Sequence, residues 1–520
     1  MTATDGIKGD GAGLAAASDD IPVESDPGVG TRGGFTRGQL LLLGLFTVLG
    51  AALRLLGLGE WSLWVDEAHT FRDVMADEAN FWASEVSNYP LSYLLLRFLH
   101  DSGMPVTEVG LRLPFAFFGI LSIPAIGLLG RGLVGSRAAL LAALMLAISP
   151  WHIYWSQNAR SYAMVLFVAL CAAGLFFDGL RRRSVLTAFA ALVLTVVAGM
   201  CHPSAYILLT GLLAYGFFSG AVGGLSSTTI QKWLPAIILA LICVLTVLML
   251  PLIQHVRRVK PDFSLFHLVQ TLVFYVRWPV IVAAIGGLLL LFDRGDRVAA
   301  FLLSWIVVPL LALAVLASGM TKVNAQYAFY TLPAFFLLAA ALMVALANGV
   351  RSGGLRGFLL RSVPVGILLL DLSGQTYLYH QKNWGERPRW REAAEFIAAQ
   401  PGVLKTVLTT NDPSMRYYCD RRSFKAEESH SHVRVIGMSG ERFESAGGGH
   451  AFVANEMERA RSRGSQLFIV LTEPELDEWD RGGVMDGFVR ARFLQRRRFP
   501  CWTGPKDMTV LVYALPVPPK

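Results

Sequence analysis

Long apolar stretches separated by short loops that carry most of the charge dominate the first three quarters of the chain. A helix needs about 20 apolar residues to cross the hydrocarbon core of a bilayer. By length and apolarity the pattern predicts about eleven membrane-spanning helices. They are predicted at 39–58, 111–130, 138–156, 161–177, 185–201, 204–222, 233–252, 271–292, 298–318, 328–348 and 362–379.

Basic residues predict the orientation of these helices. Arg131, Arg137, the run Arg181-Arg182-Arg183, Lys232, Arg294, Arg297, Arg351, Arg356 and Arg361 all fall on alternate loops. Loops rich in Lys and Arg face the cytoplasm, so the loops between them face outwards. The segment 90–99 is apolar but too short to span, and it predicts an interfacial or re-entrant helix in the first outer loop, 59–110.

Composition and charge divide the chain into three parts. The chain is 54% hydrophobic, has a mean hydropathy of +0.48 and is only 16% charged, which is typical of a polytopic membrane protein. Of its 84 charged side chains, 40 lie between His380 and Lys520. We therefore predict a disordered cytoplasmic tail at 1–38, a transmembrane domain at 39–379 and an extracytoplasmic domain at 380–520. The net charge of +8 fits membrane topology and anionic lipids, and no basic stripe with interleaved aromatics predicts a nucleic-acid partner.

The C-terminal part has the pattern of a small α/β domain. Helical spacing at 391–400 and 457–463 alternates with short apolar or β-branched runs at 403–409, 466–471 and 509–515. Cys419 and Cys501 share this domain, so a disulfide between them is one reading. No catalytic triad, phosphate-binding glycine loop or zinc spacing occurs anywhere, so we expect this domain to help admit a substrate.

Two adjacent carboxylates, Asp66 and Glu67, follow the first predicted span. Charged groups near the hydrocarbon edge cost free energy, which favours a functional role over a simple helix start. Several basic residues share the predicted outer side: Arg54, Arg72, Arg97, Arg112, Arg160, Arg257, Arg258, Lys260, Arg277 and Lys322. As a set they predict a cavity that receives an anion such as phosphate. A carboxylate that removes a proton opposite cations that stabilise a departing phosphate suits sugar transfer. Because no nucleotide is available outside the cell membrane, the donor would be lipid-linked.

Four stretches between Leu40 and Phe177 resemble the GT-C superfamily of integral membrane glycosyltransferases, within the clan of protein mannosyltransferases (glycosyltransferase family 39), aminoarabinose transferases and Rgt-type transferases. They are Asp66-Glu67; 88–96, which contains Asn88, Pro90 and Tyr93; Leu111-Arg112-Leu113-Pro114 with the loop at 130–139; and 149–162, which contains Ser149-Pro150, Gln157, Arg160 and Tyr162. This chain differs from its relatives at two places. It has Asn88-Tyr89 where relatives often carry His or Lys before Pro, and it has Gln326-Tyr327 where relatives often carry Arg-Tyr.

The resemblance implies an inverting glycosyltransferase of a bacterial inner membrane, with its active site extracytoplasmic and its donor a polyprenyl-phosphate sugar. The acceptor would be a glycan, lipid or protein. Asp66 would be the general base, and Glu67 would orient the acceptor or a cation. Arg160 and Asn88 would contact the donor phosphate. Arg257 and Arg258 are further candidates for phosphate contacts, and their assignment rests only on their clustering in an outer loop. The expected substrate-binding residues are Tyr93, Gln157, Tyr162, His202, Lys322 and Tyr327.

Two other readings compete with this one. His69, His202, His255 and His267 lie on predicted outer loops, where carboxylate and His clusters bind divalent metals, but their spacing is not that of a ligand set and no cofactor is certain. Asp371 lies inside the last span, where an acid is either functional or satisfied by polar neighbours. The main rival function is a secondary transporter or a flippase for lipid-linked sugars, which predicts internal repeats that this chain does not display.

Overall fold

The computed structural model describes residues 34–218, 265–293, 297–319, 323–350, 354–402, 404–419, 432–477, 479–480, 482–504 and 506–516. The membrane body contains mostly long apolar helices. They are α1 (Arg37–Leu55), α5 (Glu108–Val134), α6 (Ser136–Ala147), α7 (Pro150–Ser156), α8 (Tyr162–Arg181), α9 (Val185–Cys201), α10 (Tyr206–Phe218), α11 (Leu265–Val276), α12 (Trp278–Asp293), α13 (Arg297–Gly319), α14 (Leu332–Gly349) and α15 (Gly354–Gln381).

The predicted apolar segments coincide with these helices wherever the structure describes them. The span at 233–252 lies outside the described residues. Local signals explain several helix starts: the side chain of Thr36 caps α1 by accepting from the Gln39 backbone N–H, and Thr107 caps α5 in the same way. These predicted helices are confirmed. They could be predicted because each apolar run is long enough to form a helix without contacts from distant parts of the chain.

Two predicted continuous spans, 138–156 and 271–292, are wrong in detail because each is broken. The chain bends by 59° between α6 and α7 and by 90° between α11 and α12. Ser149 caps α7 with Pro150 in its first turn, a helix-start signal inside the predicted span. Arg277 forms the second break with a φ of 78°, an uncommon conformation for a residue other than glycine.

Five described helices are long and apolar enough to cross a membrane, or up to seven spans if each bent pair counts as one. Two shorter apolar helices, Val185–Cys201 and Pro203–Phe217, lie beside them. The chain is therefore an integral multi-pass membrane protein, and the figure of about eleven crossings stays a prediction. At the second break, Arg277 pairs with Asp371 of α15 through contacts of 3.0 and 2.9 Å, which accounts for the acid predicted inside the last span.

The segment 59–110, predicted to be the first outer loop and called by that name below, folds into short helices. They are α2 (Val65–Val74), α3 (Glu78–Ala83) and α4 (Pro90–Asp101), with a single 3₁₀ turn at Glu85–Ser87. The apolar segment predicted at 90–99 thus forms a 12-residue helix with Pro90 in its first turn. Phe71, Phe81 and Tyr93 pack together beneath these helices, so the loop is a compact layer against α5 and the start of α8.

The C-terminal part is an α/β domain built on a five-stranded sheet of order β2-β1-β3-β7-β4. Its strands are β1 (Lys405–Thr409), β2 (Val433–Gly437), β3 (Gln466–Leu471), β4 (Leu494–Phe499) and β7 (Val510–Ala514), with a small hairpin of β5 (Trp502–Thr503) and β6 (Lys506–Asp507). Its helices are α16 (Trp390–Ala398), α17 (Asp412–Cys419), α18 (Gly440–Ala446), α19 (Gly449–Ser462), α20 (Glu473–Asp477) and α21 (Val484–Arg492). β1 is parallel to β2 and β3, whereas β7 runs antiparallel to β3 and β4.

The central strands β1, β3 and β7 are buried on both faces, which is why their sequences read as continuous apolar runs. The two edge strands, β2 and β4, escaped prediction. Strand β4 is exposed over most of its length and includes three consecutive arginines, so it lacks the apolar alternation that marks a strand. Cys501 is a free thiol whose Sγ lies 3.9 Å from the carbonyl oxygen of Asn383, so no disulfide joins it to Cys419.

The C-terminal domain docks on the first outer loop through specific polar contacts. Arg391 of α16 donates to the carbonyl oxygens of Gly59 and Glu60 at 3.0 and 2.9 Å and to the carboxylate of Glu108 at 2.8 Å. The hydroxyl of Tyr418 accepts from the backbone N–H of Leu63 at 2.7 Å. These bonds hold the C-terminal domain against the segment that precedes the acid pair.

Candidate active site

Helix α2 separates the two adjacent carboxylates into different environments. Asp66 and Glu67 lie in its first turn, where acidic side chains interact favourably with the helix dipole. Consecutive residues on a helix point about 100° apart, because a turn takes 3.6 residues. Glu67 consequently points into the protein and is 0% exposed, whereas the side chain of Asp66 is 37% exposed.

Every oxygen of Glu67 is bound by the protein. Arg112 of α5 contacts both carboxylate oxygens, at 2.8 Å from Nε and 2.7 Å from Nη2. The backbone N–H of Ala159 donates to Oε1 at 2.8 Å, and Nε of Arg387 lies 3.6 Å from Oε2. Burial alone would raise the pKa of Glu67, but Arg112, Arg387 and the Ala159 N–H together lower it below its ordinary value. Glu67 is thus ionised at neutral pH and ties the outer loop to α5 and to the C-terminal domain.

Among the described residues, Asp66 has no such partner at hydrogen-bond distance. The closest described cation is Arg160, whose Nε lies 3.9 Å from Oδ2. Burial raises the pKa of Asp66 above its ordinary value, Arg160 opposes this shift, and Glu85 adds to it. A carboxylate with a raised pKa and an accessible oxygen is suited to take a proton from a substrate hydroxyl.

Arg160 lies between two carboxylates and an aromatic ring. Its Nη1 is 3.5 Å from Oε2 of Glu85, and its guanidinium carbon lies 4.7 Å from the ring centroid of Tyr89. The side chain is only 9% exposed. Burial lowers the pKa of Arg160, but Asp66, Glu85 and the neighbouring tyrosines together raise it above its ordinary value, so the guanidinium is charged. Both ion-pair contacts are longer than a normal hydrogen bond, which leaves donor groups for another anion.

Four of the predicted substrate-binding residues gather beside this ion pair. The imidazole of His202 packs against the rings of Tyr162 and Tyr327, with centroids 4.8 and 5.7 Å away, and against Tyr89 at 5.1 Å. Tyr93 stacks on Tyr89 at 6.2 Å. Burial lowers the pKa of His202 to about 3, and the charge of Arg160 acts in the same direction. The imidazole is therefore neutral at physiological pH.

Two predicted contact residues have other surroundings. The amide nitrogen of Gln157 donates to the carbonyl oxygens of Arg54 and Leu56 at 3.0 and 2.6 Å. Its oxygen accepts from the hydroxyl of Tyr379 at 2.8 Å, so its hydrogen-bonding groups are already used in joining helices. Asn88 is half-buried next to Tyr89, at the end of the 3₁₀ turn that carries Glu85.

Five of the six described basic residues that were predicted near the outer boundary bind protein groups other than the acid Asp66. Arg257, Arg258, Lys260 and Lys322 lie outside the described residues. The partners of the others are backbone carbonyls of Gly50, Leu146 and Ala147 for Arg54; Asp73 for Arg72; carbonyls of Val74 and Ala76 for Arg97; Glu67 for Arg112; and Asp371 for Arg277. Among the described residues, Arg160 is therefore the remaining candidate for binding an anionic substrate.

The histidines predicted as alternative metal ligands do not converge in the described part of the chain, where no three His, Cys, Asp or Glu side chains are placed to hold an ion. His202 is packed among tyrosines, and Nε2 of His267 lies 3.0 Å from the side-chain oxygen of Asn324. His69 lies one helical turn from Asp66, and His255 falls outside the described residues.

A cavity of about 450 Å³ separates the membrane body from the C-terminal domain. Trp64 and Val65, which directly precede Asp66, form one end of it. The body also contributes aromatic and polar side chains, among them Tyr154, Trp155, Tyr275 and Asn324. The C-terminal domain contributes Glu386, Thr410, Asn411, Glu475, Trp479 and Lys506. We call this space the interdomain cavity; its mixture of aromatic faces and a few polar groups is typical of sites for small polar molecules.

Three residues of the site escaped prediction. Glu85 faces Arg160 from a short polar turn that no sequence pattern marks. Arg387 and Glu386 follow the last apolar helix, in a charged and aromatic-rich segment from Trp384 to Trp390. This clustering at a domain boundary is the sequence feature from which a functional role could have been predicted. Arg387 lies 3.9 Å from the centroid of the Tyr154 ring, so it links the C-terminal domain to α7 as well as to Glu67.

Comparison with known proteins identifies the fold. No family model matches the chain, and no curated protein matches it in sequence. Among solved structures, ArnT from Cupriavidus metallidurans superposes in its apo state with a TM-score of 0.55 at 12% identity, over 92% of this chain and 98% of that one. The same protein bound to undecaprenyl phosphate gives 0.54 at 13% identity, with the same coverage of both chains.

A second solved protein has the same architecture. The oligosaccharyltransferase AglB from Archaeoglobus fulgidus, in complex with an inhibitory peptide and a dolichol-phosphate, gives a TM-score of 0.52 at 14% identity, over 92% of this chain and 74% of that one. At such low identity the likeness concerns the fold. The helical body, the first outer loop and the C-terminal domain together therefore share the fold of ArnT and of this oligosaccharyltransferase, as the sequence resemblance to the GT-C superfamily predicted.

Proposed function

We propose that this protein is a membrane glycosyltransferase that transfers a sugar from a polyprenyl-phosphate donor to an extracytoplasmic acceptor, with inversion at the anomeric carbon. The observation that carries the proposal is that the two adjacent carboxylates have different environments. Both oxygens of Glu67 accept hydrogen bonds from Arg112 or the backbone, whereas Asp66 has an accessible carboxylate 3.9 Å from the cation Arg160. One available base beside one buried cation is the minimum that a direct displacement on a phosphate-linked sugar requires.

The reaction is a single displacement. Asp66 accepts the proton of an acceptor hydroxyl while that oxygen forms a bond to the anomeric carbon. The bond between the anomeric carbon and the phosphate oxygen breaks on the opposite face, and polyprenyl phosphate leaves with the electron pair. Arg160 balances the charge on this leaving group, and Glu85 limits the mobility of the guanidinium by pairing with it.

The donor class is supported by the fold neighbours. One solved ArnT structure contains undecaprenyl phosphate and the AglB complex contains dolichol-phosphate, both of them polyprenyl phosphates. A lipid-linked donor can enter sideways between helices, which suits a site at the membrane boundary. Tyr162, His202 and Tyr327, grouped beside Arg160, are proposed to contact the transferred sugar. The proposed acceptor is a glycan, lipid or protein, and the proposed location is a bacterial inner membrane with the active site on the extracytoplasmic side.

The test is a reconstituted assay that offers polyprenyl-phosphate sugars and nucleotide sugars side by side. Purified protein in lipid vesicles receives each donor in radiolabelled form, and transfer to added acceptors is measured. Transfer from the polyprenyl-phosphate donor supports the proposal. Transfer from the nucleotide donor alone overturns it, as does solute flux across the vesicles without any glycosyl transfer, which identifies a transporter.

A further inference from the structure

The turn that joins the membrane body to the C-terminal domain has an unusual backbone. Trp384, Gly385 and Glu386 have φ values of 52°, 60° and 52°, so three consecutive residues adopt a left-handed conformation. Only glycine takes this conformation without strain. A Cβ at Gly385 would lie 2.5 Å from the ring of Trp61, so the turn packs directly on the loop after α1. Such strain persists where the surrounding structure enforces it, and it concentrates at functional sites.

The consequence of this turn is the position of the Glu386 carboxylate. Glu386 lines the interdomain cavity. Its Oε2 accepts from the backbone N–H of Gly504 at 3.2 Å, and its own carbonyl oxygen accepts from the hydroxyl of Thr503 at 3.1 Å. Among the described residues no group donates to its Oε1. A carboxylate held by one N–H, with its second oxygen unused, has hydrogen-bonding capacity left for a ligand.

The rest of the cavity has the chemistry that a sugar ring requires. Trp64 from the body and Trp479 from the C-terminal domain contribute indole rings to its lining, and aromatic rings are suited to pack on the apolar face of a sugar. The side-chain amide nitrogen of Asn324, whose oxygen lies 3.0 Å from Nε2 of His267, can donate to a hydroxyl group. Trp64 and Val65, the two residues that precede Asp66, line this space, so the cavity lies beside the segment that carries the proposed base.

We propose that Glu386 anchors the acceptor, which is a glycan: its carboxylate accepts hydrogen bonds from hydroxyl groups of the acceptor sugar in the interdomain cavity. The strained turn and the bond from the Gly504 N–H fix the position of this carboxylate in the cavity. Glu386 is thus a binding residue that selects the acceptor, whereas Asp66 acts on the attacking hydroxyl. This inference rests on the proposed function for the identity of the reaction, and the geometry around Glu386 supplies the substrate class.

The charge state of Glu386 provides a second test of its role in binding the acceptor, through the pH dependence of acceptor affinity. Burial raises the pKa of Glu386 to about 7, opposed by the N–H of Gly504 and by the charge of Arg387. The other titratable groups that face it or share its cavity are Tyr154, Tyr275, Tyr379, Cys501, His267, Glu475 and Lys506. The ionised carboxylate is the stronger hydrogen-bond acceptor and forms as the pH rises through its pKa. Acceptor affinity is therefore expected to rise between about pH 6 and pH 8.

The experiment compares Glu386→Gln with the wild type and with Glu395→Gln, a control at an exposed position on α16. The probes are octyl α-D-mannopyranoside, octyl β-D-glucopyranoside and octyl β-D-galactopyranoside, used below their critical micelle concentrations on protein in lipid nanodiscs. With the best acceptor, Glu386→Gln is expected to raise the acceptor KM at least about fivefold, because a charge-assisted bond becomes a neutral one. The kcat and the donor KM are expected to stay within about twofold of wild type. The control keeps all three, and the pH dependence of the acceptor KM disappears in Glu386→Gln alone.

A second variant guards against misfolding. Glu386→Asn removes the carboxylate but places at this position a residue that tolerates the left-handed conformation, so it is expected to fold and still to raise the acceptor KM. An unchanged acceptor KM in both variants overturns the inference. So does a fall in kcat at constant KM, because that result assigns Glu386 to the chemical step.

Binding measured by calorimetry separates this inference from the proposed function. If the wild type transfers no sugar from a lipid-linked donor, the proposed function fails, while binding of the three octyl glycosides still tests Glu386. Binding that weakens in Glu386→Gln supports the assignment of the cavity to a glycan. Absence of binding of all three probes to the wild type overturns it.

Discussion

Glu67 and Arg112 form a two-point ion pair, with contacts of 2.8 and 2.7 Å, and neither side chain has any exposed surface. They are 45 residues apart in the chain. The pair neutralises one member of the acid pair and leaves the other available, because Asp66 projects from the same helix turn in a different direction. A structural carboxylate and a candidate base are therefore produced from two adjacent residues of similar chemistry.

Asp66→Asn is expected to lower kcat about 10²- to 10⁴-fold, the contribution of a general base. Asparagine keeps the size of the side chain and cannot accept the proton. Folding should be retained, since among the described residues Asp66 makes no contact shorter than 3.9 Å with a basic group. The control is Asp101→Asn, which removes an exposed aspartate from the same outer loop. Wild-type transfer rates in Asp66→Asn, measured with a radiolabelled lipid-linked sugar, would remove Asp66 from the mechanism.

The pH dependence of kcat should report the carboxyl of Asp66. Its pKa is raised by burial, so protonation of the base begins at a higher pH than for an ordinary aspartate, whose pKa is about 3.9. The rate should fall as the pH drops through this raised pKa and should level off above it. Measurement with saturating donor and acceptor isolates this acid limb from changes in substrate binding. A profile that stays flat down to pH 4 would contradict the role of Asp66.

Glu67→Gln is expected to destabilise the protein by about 3–5 kcal/mol, because Arg112 and Arg387 lose the charge that compensates their burial. The lowered pKa of Glu67 means that its stabilising contribution is present above the unfolded-state pKa of about 4.3 and is lost as the pH falls through the folded-state value. Thermal unfolding in detergent measures the change. Glu458→Gln, at an exposed ion pair on α19, is the matched control and should shift stability by less than about 0.5 kcal/mol. Equal stability of the two variants would show that the buried pair is dispensable.

Arg160→Ala is expected to weaken use of the lipid donor at least about tenfold, since a charge-assisted contact to phosphate contributes about 1.5–3 kcal/mol. The donor KM and kcat/KM are the quantities to measure, at saturating acceptor. Arg182→Ala, which removes an exposed arginine paired with Asp178, serves as the control. If the donor KM of Arg160→Ala equals that of the control, Arg160 acts only as a partner of Glu85 and Asp66.

Topology is tested by reporter fusions after Arg183 and after Lys520. The distribution of arginines predicts that the first position is cytoplasmic and the second extracytoplasmic. Alkaline phosphatase and green fluorescent protein fusions report opposite compartments, so each position receives both. If both positions report the same side, the number of spans differs by one from the prediction, and the sidedness of the site must be reassigned.

The sequence by itself determined the membrane body, the presence of a C-terminal α/β domain and the acid pair. Apolar length is a local property that the bilayer thickness imposes, so each long run between Arg37 and Gln381 forms a helix wherever the structure describes it. Strands β1, β3 and β7 were recognisable for a similar reason, since burial on both faces makes them uniformly apolar. The edge strands β2 and β4 carry no such signal: β4 is exposed over most of its length, and Arg434 interrupts the apolar residues of the half-buried β2.

Only the tertiary structure decided which charges are structural and which are available. Glu67 and Asp66 look alike in the sequence, and their difference arises from Arg112 on α5 and Arg387 beyond the last helix of the body. Likewise, Gln157 was predicted to bind substrate, but its side-chain amide donates to backbone carbonyl oxygens. Glu386 reaches the cavity only because the chain makes a left-handed turn there. Hydrophobic patterning depends on neighbours in the chain, whereas ion pairing and cavity lining depend on residues that the fold brings together from far apart.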